Sequence, residues 1–226
     1  AVYLATGAWQ QRQLKVAGED RAGVLSGLDY LYQVRAGRAP ALAGSVAIVG
    51  GCNTAIDAAR TARRKGATVD VYYDVLLAIP EEVSTARAEG IVFHHAVVPV
   101  GFEAGTTSRL KLLLRDLAVP KPGIVKDGEI FATETSEADS VLICIGGDAD
   151  LGYLTSMSQL DLAENGRLVI DAWGRTRQPR IFAGGDASSL GAGTVVGAIN
   201  AGKRAALAIH ERLGGATLDR MALQRA

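Results

Sequence analysis

Three apolar runs, each ending in glycine or other small residues, constrain this chain more than any other feature. They are residues 2–8, 46–55 and 181–186, with the sequences VYLATGA, VAIVGGCNTA and IFAGGD. An apolar run that stops at small residues is typical of a buried strand that ends beneath a phosphate or a ribose. The order of the three runs predicts one nucleotide-binding fold nested inside another.

The nesting gives a predicted domain plan. Residues 1–43 and 146–226 form an outer domain, and residues 44–145 form a complete inner domain between them. The first crossing is placed at residues 37–40, where Gly37 and Pro40 break a helical pattern. The chain opens in mid-strand without a methionine, so we expect it to be a fragment or a processed product.

Charge and cysteine content narrow the function classes. The chain has 24 basic and 24 acidic residues and no basic stripe, which disfavours a nucleic-acid partner. No apolar run approaches the ~20 residues that a membrane span needs, and no secretory signal is indicated. The two cysteines, Cys52 and Cys144, form no CxxC pair, so no disulfide framework is indicated and a cytoplasmic location is expected.

Residues 50–55 are the strongest single motif, with a GxGxxA frame between a strand and a helix. The helix start, with Asn53 predicted as its N-cap, offers unpaired N–H groups to a pyrophosphate. Cys52 stands where the motif has its middle glycine, which lets the backbone approach a phosphate. An ordinary turn that binds nothing therefore stays open. A catalytic thiol at Cys52 is a weaker alternative, because no His or Cys lies near it in sequence.

Asp74 ends the second strand of this βαβ unit, 24 positions after Gly50. An acidic residue near this place accepts hydrogen bonds from the adenosine ribose and repels a 2′-phosphate. Asp74 therefore favours NAD(H) over NADP(H), although a merely polar strand end is an equal alternative.

The third run leads into a second possible site. Asp186 follows two glycines, and Thr194, Val195 and Val196 begin a helix predicted over residues 194–213. A helix N-terminus at this place could stabilise negative charge on a reduced flavin. Taken alone, the same pattern fits an Asp that only forms a turn.

Together the three segments resemble the two-dinucleotide-fold flavoproteins of the pyridine nucleotide-disulfide oxidoreductase family. Within that family the likeness is to the glutamate synthase small (beta) subunit and its relatives. The likeness covers nearly the whole chain. It includes residues 1–26, 53–60, 80–83, 166–167 and 174–176.

The resemblance implies an α/β fold, with a Rossmann-like three-layer NAD(P)-binding domain inserted into an incomplete FAD-binding domain. Thr6 and Gly7 would lie near FAD, Asp186 would bind its ribityl chain, and Thr194–Val196 would face its ring system. Gly185 would also be a cofactor-binding residue. The NAD(P)H-binding residues implied are Gly50, Gly51, Cys52, Asn53 and Thr54, with Asp74. Gly146 and Gly147 would lie where the inner domain returns to the outer one. No catalytic side chain and no metal ligand is implied.

Three departures from the family pattern matter. The N-terminal GxGxxG that holds the ADP half of FAD is absent, and Cys52 replaces a glycine. The family usually carries two arginines after the second strand for the 2′-phosphate, whereas this chain has residues 74–77, DVLL. Arg63 and Arg64 lie earlier, in the helix. The CxxC of thioredoxin reductase relatives is also missing, so disulfide chemistry is not expected.

The resulting hypothesis is an electron-transfer subunit. It would pass hydride between NAD(P)H, with NADH preferred, and FAD, and then pass electrons to an iron–sulfur or larger catalytic subunit. The isolated piece would bind FAD weakly or not at all, and a homo-oligomer stays open. The alternative is a scaffold or docking subunit whose nicotinamide site has degenerated at Cys52 and residues 75–77. The terminal electron acceptor does not follow from the sequence.

Overall fold

The computed structural model describes residues 1–42, 44–119, 131–154 and 160–215. A hairpin turn predicted at residues 127–128 lies outside these ranges. The helices are α1 (Gly27–Arg35), α2 (Asn53–Arg64), α3 (Pro80–Ala88) and α4 (Val195–Arg212). The strands are β1 (Val2–Leu4), β2 (Gln10–Gln11), β3 (Val24–Ser26), β4 (Ser45–Val49), β5 (Thr68–Tyr73), β6 (Val92–His95), β7 (Val97–Ala104), β8 (Leu110–Asp116), β9 (Glu134–Ala138), β10 (Ser140–Ile143), β11 (Gly147–Asp148) and β12 (Ile181–Ala183). The predicted α/β class is confirmed.

The chain divides into two compact units. One is Gln11–Gly146, and the other joins Ala1–Gln10 to Gly147–Ala226. The first crossing therefore lies at residue 10, whereas the sequence placed it near Pro40. The reason is β3, which pairs in parallel with β10 and so belongs to the sheet of the inner unit.

The unit of residues 11–146 is built on a five-stranded parallel sheet in the order β3-β10-β4-β5-β6. Along β4 the side chains alternate between two cores. Val46 and Ile48 join the core of the α-helical face, and Ala47 and Val49 join the core under the antiparallel sheet β7-β8-β9. Helix, parallel sheet and antiparallel sheet are thus three layers, and each apolar face of the central sheet is covered.

Small residues bring α2 close to the sheet. Its inward positions are all alanine or isoleucine and are almost fully buried: Ala55, Ile56, Ala58, Ala59 and Ala62. A helix with so small a face can lie directly over β4, which fixes where its N-terminus emerges.

The strand order reverses at β4. The chain runs outward from β4 to β5 and β6, and returns to place β10 on the other side of β4. The carboxyl ends of β4 and β10 therefore lie at a topological switch point, and the crevice outside such strand ends is where open α/β sheets bind ligands.

The second unit pairs β1 with β12 in parallel, with Tyr3 opposite Phe182. Helix α4 packs on the glycines that follow β12. A β-carbon added to Gly184 would lie 3.0 Å from the Ala201 Cβ, so the strand end has to be small. The helix predicted over residues 194–213 is confirmed as Val195–Arg212. None of the helices in the described ranges is both long and apolar enough to cross a bilayer.

Candidate functional site

Gly50 begins the turn between β4 and α2 at the carboxyl edge of the parallel sheet. Its φ is +131°, and an added β-carbon would lie 2.2 Å from the carbonyl oxygen of Cys144. Its N–H donates to the carbonyl of Tyr72 at 2.9 Å. Glycine is therefore required both by the backbone conformation and by the close approach of Cys144, the residue that follows β10.

The N-terminus of α2 offers a row of backbone donors. Cys52 is the N-cap, and its side chain makes no capping bond. Asn53 is the first helical residue, so its prediction as the N-cap was wrong. Within the described part of the chain, the N–H groups of Gly51, Cys52, Asn53 and Thr54 have no acceptor. Four neighbouring free donors at a 12-residue helix dipole fit a pyrophosphate.

The Cys52 thiol does not extend over this row. It is half-buried, and its Sγ donates to the carbonyl oxygen of Cys144 at 3.1 Å. A carbonyl cannot take the proton as a base, so the geometry gives no support to Cys52 as an activated nucleophile. Burial raises the pKa of the Cys144 thiol far above its ordinary value, which keeps that group protonated.

Asp74 lies directly after β5, next to the strand that leads into the turn. It is exposed, and no hydrogen bond or ion pair occupies its carboxylate among the described residues. The following segment exposes apolar side chains, with Val75 59 %, Leu77 75 % and Ile79 51 % accessible. No cation is present between Asp74 and Ile79.

Arg63 and Arg64 are committed elsewhere. Arg63 donates to the carbonyls of Glu89 and Ala67, and Arg64 donates to the Glu89 carboxylate at 2.6 Å. Both lie in the last turn of α2, about 15 Å along the helix from Asn53. Neither can serve as the cation for a 2′-phosphate beside Asp74.

In the second unit, Thr6 and Gly7 follow β1. The Tyr153 hydroxyl donates to Thr6 Oγ1 at 3.4 Å. The Trp9 indole covers Gly7, where an added β-carbon would lie 2.9 Å from Nε1, yet the ring is 69 % exposed. Two aromatic side chains therefore flank the segment that the resemblance places near FAD.

Asp186 and the start of α4 lie beyond β12. Asp186 Oδ1 accepts from the N–H of Gly193 at 2.9 Å, which leaves its second oxygen for another donor. Thr194 is the N-cap of α4, and its Oγ1 accepts from the N–H of Gly197. The N–H groups of Val195 and Val196 have no acceptor in the described residues. These donors fit an electron-rich ring edge.

The predicted site residues thus fall into two groups. Gly50, Gly51, Cys52, Asn53, Thr54 and Asp74 share the carboxyl edge of the parallel sheet. Thr6, Gly7, Gly185, Asp186, Thr194, Val195 and Val196 belong to the second unit, and Gly146 and Gly147 stand at the boundary between units. Sequence reasoning missed Tyr153 and the hydrogen bond that the Ile79 N–H donates to Asn53 Oδ1, since neither has a local signal. In the described ranges no cluster of three His, Cys, Asp or Glu residues could hold a metal.

Comparison with known proteins identifies the class. The structure resembles a thioredoxin reductase of Lactococcus lactis with a TM-score of 0.71 and 24 % identity, over 92 % of this chain and 64 % of that one. This likeness shows the fold alone, an α/β fold with a parallel sheet.

The family follows from sequence. Residues 1–203 match the model of the pyridine nucleotide-disulphide oxidoreductases, and the chain belongs to that family. It is 35 % identical to the NADP(+)-dependent formate dehydrogenase subunit beta of Moorella thermoacetica, over 94 % of this chain and 32 % of that protein. It is 32 % identical to the glutamate synthase [NADPH] small chain of Azospirillum brasilense, over 93 % of this chain and 48 % of that protein. The predicted likeness to the glutamate synthase small subunit is confirmed, and the chain spans a third to a half of these relatives.

Proposed function

We propose that this chain is part of a flavoprotein subunit that takes hydride from NADH in preference to NADPH and delivers electrons to a partner subunit. The observation that carries the proposal is the carboxyl edge of the parallel sheet. Among the described residues, four N–H groups without an acceptor lie there beside the exposed Asp74, whose carboxylate has no partner, and residues 75–79 contain no cation. Donors for a pyrophosphate beside an acceptor for ribose hydroxyls match an unphosphorylated adenosine.

The choice of NADH sets this chain apart from relatives whose names specify NADP(+) or NADPH. A 2′-phosphate beside Asp74 would meet a carboxylate and three exposed apolar side chains. Repulsion and lost hydration then oppose NADPH, while NADH loses nothing.

FAD would be held by the second unit. Within the described residues, one carboxylate oxygen of Asp186 stays free for a ribityl hydroxyl, and two N–H groups at the start of α4 stay free for the ring edge. Bound FAD would supply the conversion between hydride and single-electron transfer. The residues themselves bind and orient the two cofactors, so no side-chain acid or base is proposed.

A partner subunit is supported by the relatives, which are named as beta or small chains. We propose an iron–sulfur or larger catalytic subunit as the electron acceptor, in the cytoplasm. The competing function, a scaffold that has lost the nicotinamide site, draws on Cys52 at the glycine position. The hydrogen bond from Cys52 Sγ to the Cys144 carbonyl argues against the scaffold function, because it directs the Cys52 side chain to the sheet.

Anaerobic stopped-flow absorbance separates the two functions. The whole gene product, loaded with FAD, should lose its flavin absorbance on mixing with NADH, at a rate that saturates with NADH concentration. NADPH should reduce the flavin at least about tenfold more slowly at equal concentration, which is the rate equivalent of ~1.4 kcal/mol. A flavin that stays oxidised at millimolar NADH would establish the scaffold instead.

A further inference from the structure

Three backbone donors of the segment after Asp74 are bound by the phosphate loop. The N–H groups of Leu77 and Ala78 donate to the carbonyl oxygen of Gly51 at 2.8 and 3.0 Å. The N–H of Ile79 donates to Asn53 Oδ1 at 3.0 Å. The segment of residues 75–79, called here the β5 loop, is therefore tied to the start of α2 by its backbone.

The backbones of the β5 loop and the phosphate loop also pack against each other. A β-carbon on Gly51 would lie 2.2 Å from the carbonyl oxygen of Val75, so the two backbones are in direct contact. The side chains of Val75, Leu77 and Ile79 are exposed, whereas Ala78 is buried in the core of the helical face and Leu76 packs against that core. The position of the β5 loop, and of Asp74 at its start, thus depends on polar contacts with the phosphate loop together with the packing of Leu76 and Ala78.

Among the described residues, Asn53 is the one whose side chain accepts a hydrogen bond from the backbone of the β5 loop. As the first residue of α2 it has no capping role, and its side-chain oxygen is directed across to the first turn of α3. Ile79 is the N-cap of α3, so this bond fixes the end of the β5 loop to two helices at once.

We propose that Asn53 is a positioning residue that sets the preference for NADH over NADPH by holding the β5 loop against the phosphate loop. The proposal rests on the proposed function of this edge. With the bond intact, Asp74 is fixed where it accepts from ribose hydroxyls and repels a 2′-phosphate. With the bond lost, the carboxylate can move away, so NADH loses an acceptor while NADPH is relieved of a repulsion.

A double-mutant cycle tests this bond from both sides. Asn53→Ala removes the acceptor. Ile79→Pro removes the donor, and the Ile79 φ of −61° is one that proline adopts. Dissociation constants for NADH and NADPH are measured by calorimetry on the whole gene product and on each variant.

Each single variant should bind NADH about three- to tenfold more weakly, the range for one lost hydrogen bond, and NADPH within about twofold of the parent. The double variant should bind NADH no more weakly than the more impaired of the two single variants, because both substitutions remove the same bond. If the single variants lose equal affinity for NADH and NADPH, or if the losses of NADH affinity add in the double variant, the proposal is overturned.

Asn53→Asp is the matched control. It keeps an acceptor for the Ile79 N–H but adds a negative charge beside the pyrophosphate. It should weaken NADH and NADPH in parallel and leave their ratio as in the parent. If the parent itself binds neither nucleotide, the proposed function fails. If the parent prefers NADH and the variants keep that preference, only the role of Asn53 fails.

Discussion

Replacing Gly50 by alanine is expected to lower the free energy of unfolding by about 3 kcal/mol and to abolish dinucleotide binding. The added Cβ would lie 2.2 Å from the Cys144 carbonyl oxygen, and φ is +131°. Relief requires the end of β4 and the segment that directly follows β10 to move apart. Thermal unfolding should report the change as a loss of about 6–12 °C in Tm, and calorimetry should report no NADH binding.

Gly66→Ala is the matched control. Gly66 also has a positive φ, +99°, but an added β-carbon would meet nothing within 4 Å. Gly66→Ala should lower the free energy of unfolding only by the backbone strain, about 1 kcal/mol, and should leave NADH binding unchanged. If Gly50→Ala and Gly66→Ala lose equal stability and both bind NADH, the close contact at the crevice is not a requirement of the site.

Changing Asp74 to arginine should reverse the nucleotide preference. The carboxylate that accepts from the ribose is lost, and a guanidinium that pairs with a 2′-phosphate takes its place. We expect NADH to bind about tenfold more weakly and NADPH about tenfold more tightly, which corresponds to ~1.4 kcal/mol for each change. Asp74→Asn should fall between, because it removes the repulsion without adding a cation. Calorimetric titration with both nucleotides measures each constant.

Asp20→Arg controls for the change in net charge. Asp20 is exposed and precedes β3, so it lies toward the opposite, amino edge of the same parallel sheet. This variant should leave both dissociation constants within about twofold of the parent. A shift in preference equal to that of Asp74→Arg would mean that long-range charge, and not a contact at position 74, decides between the nucleotides.

Local sequence predicted the central βαβ unit well. The apolar run before Gly50, the small face of α2 and the alternation of β5 each depend on neighbours in sequence. In the structure, Cys52, Asn53 and Asp74 lie at one edge of the parallel sheet. The start of α4 was predicted for the same reason, because Thr194 precedes a long amphipathic pattern.

Contacts between distant segments could not be predicted. β3 has three residues and no periodicity of its own, so nothing in residues 24–26 shows that they pair with β10. The N-cap was misassigned because Asn53 Oδ1 accepts from the N–H of Ile79. That contact depends on the path of the β5 loop. The contact between Gly50 and Cys144 likewise follows from strand order, which no local pattern encodes.

The most direct test is the structure of the whole protein in complex with NADH. We expect pyrophosphate oxygens within hydrogen-bonding distance of the N–H groups of Cys52, Asn53 and Thr54, and both adenosine ribose hydroxyls on the Asp74 carboxylate. A nucleotide bound elsewhere at saturating NADH, with this edge of the sheet facing only solvent, would contradict the account.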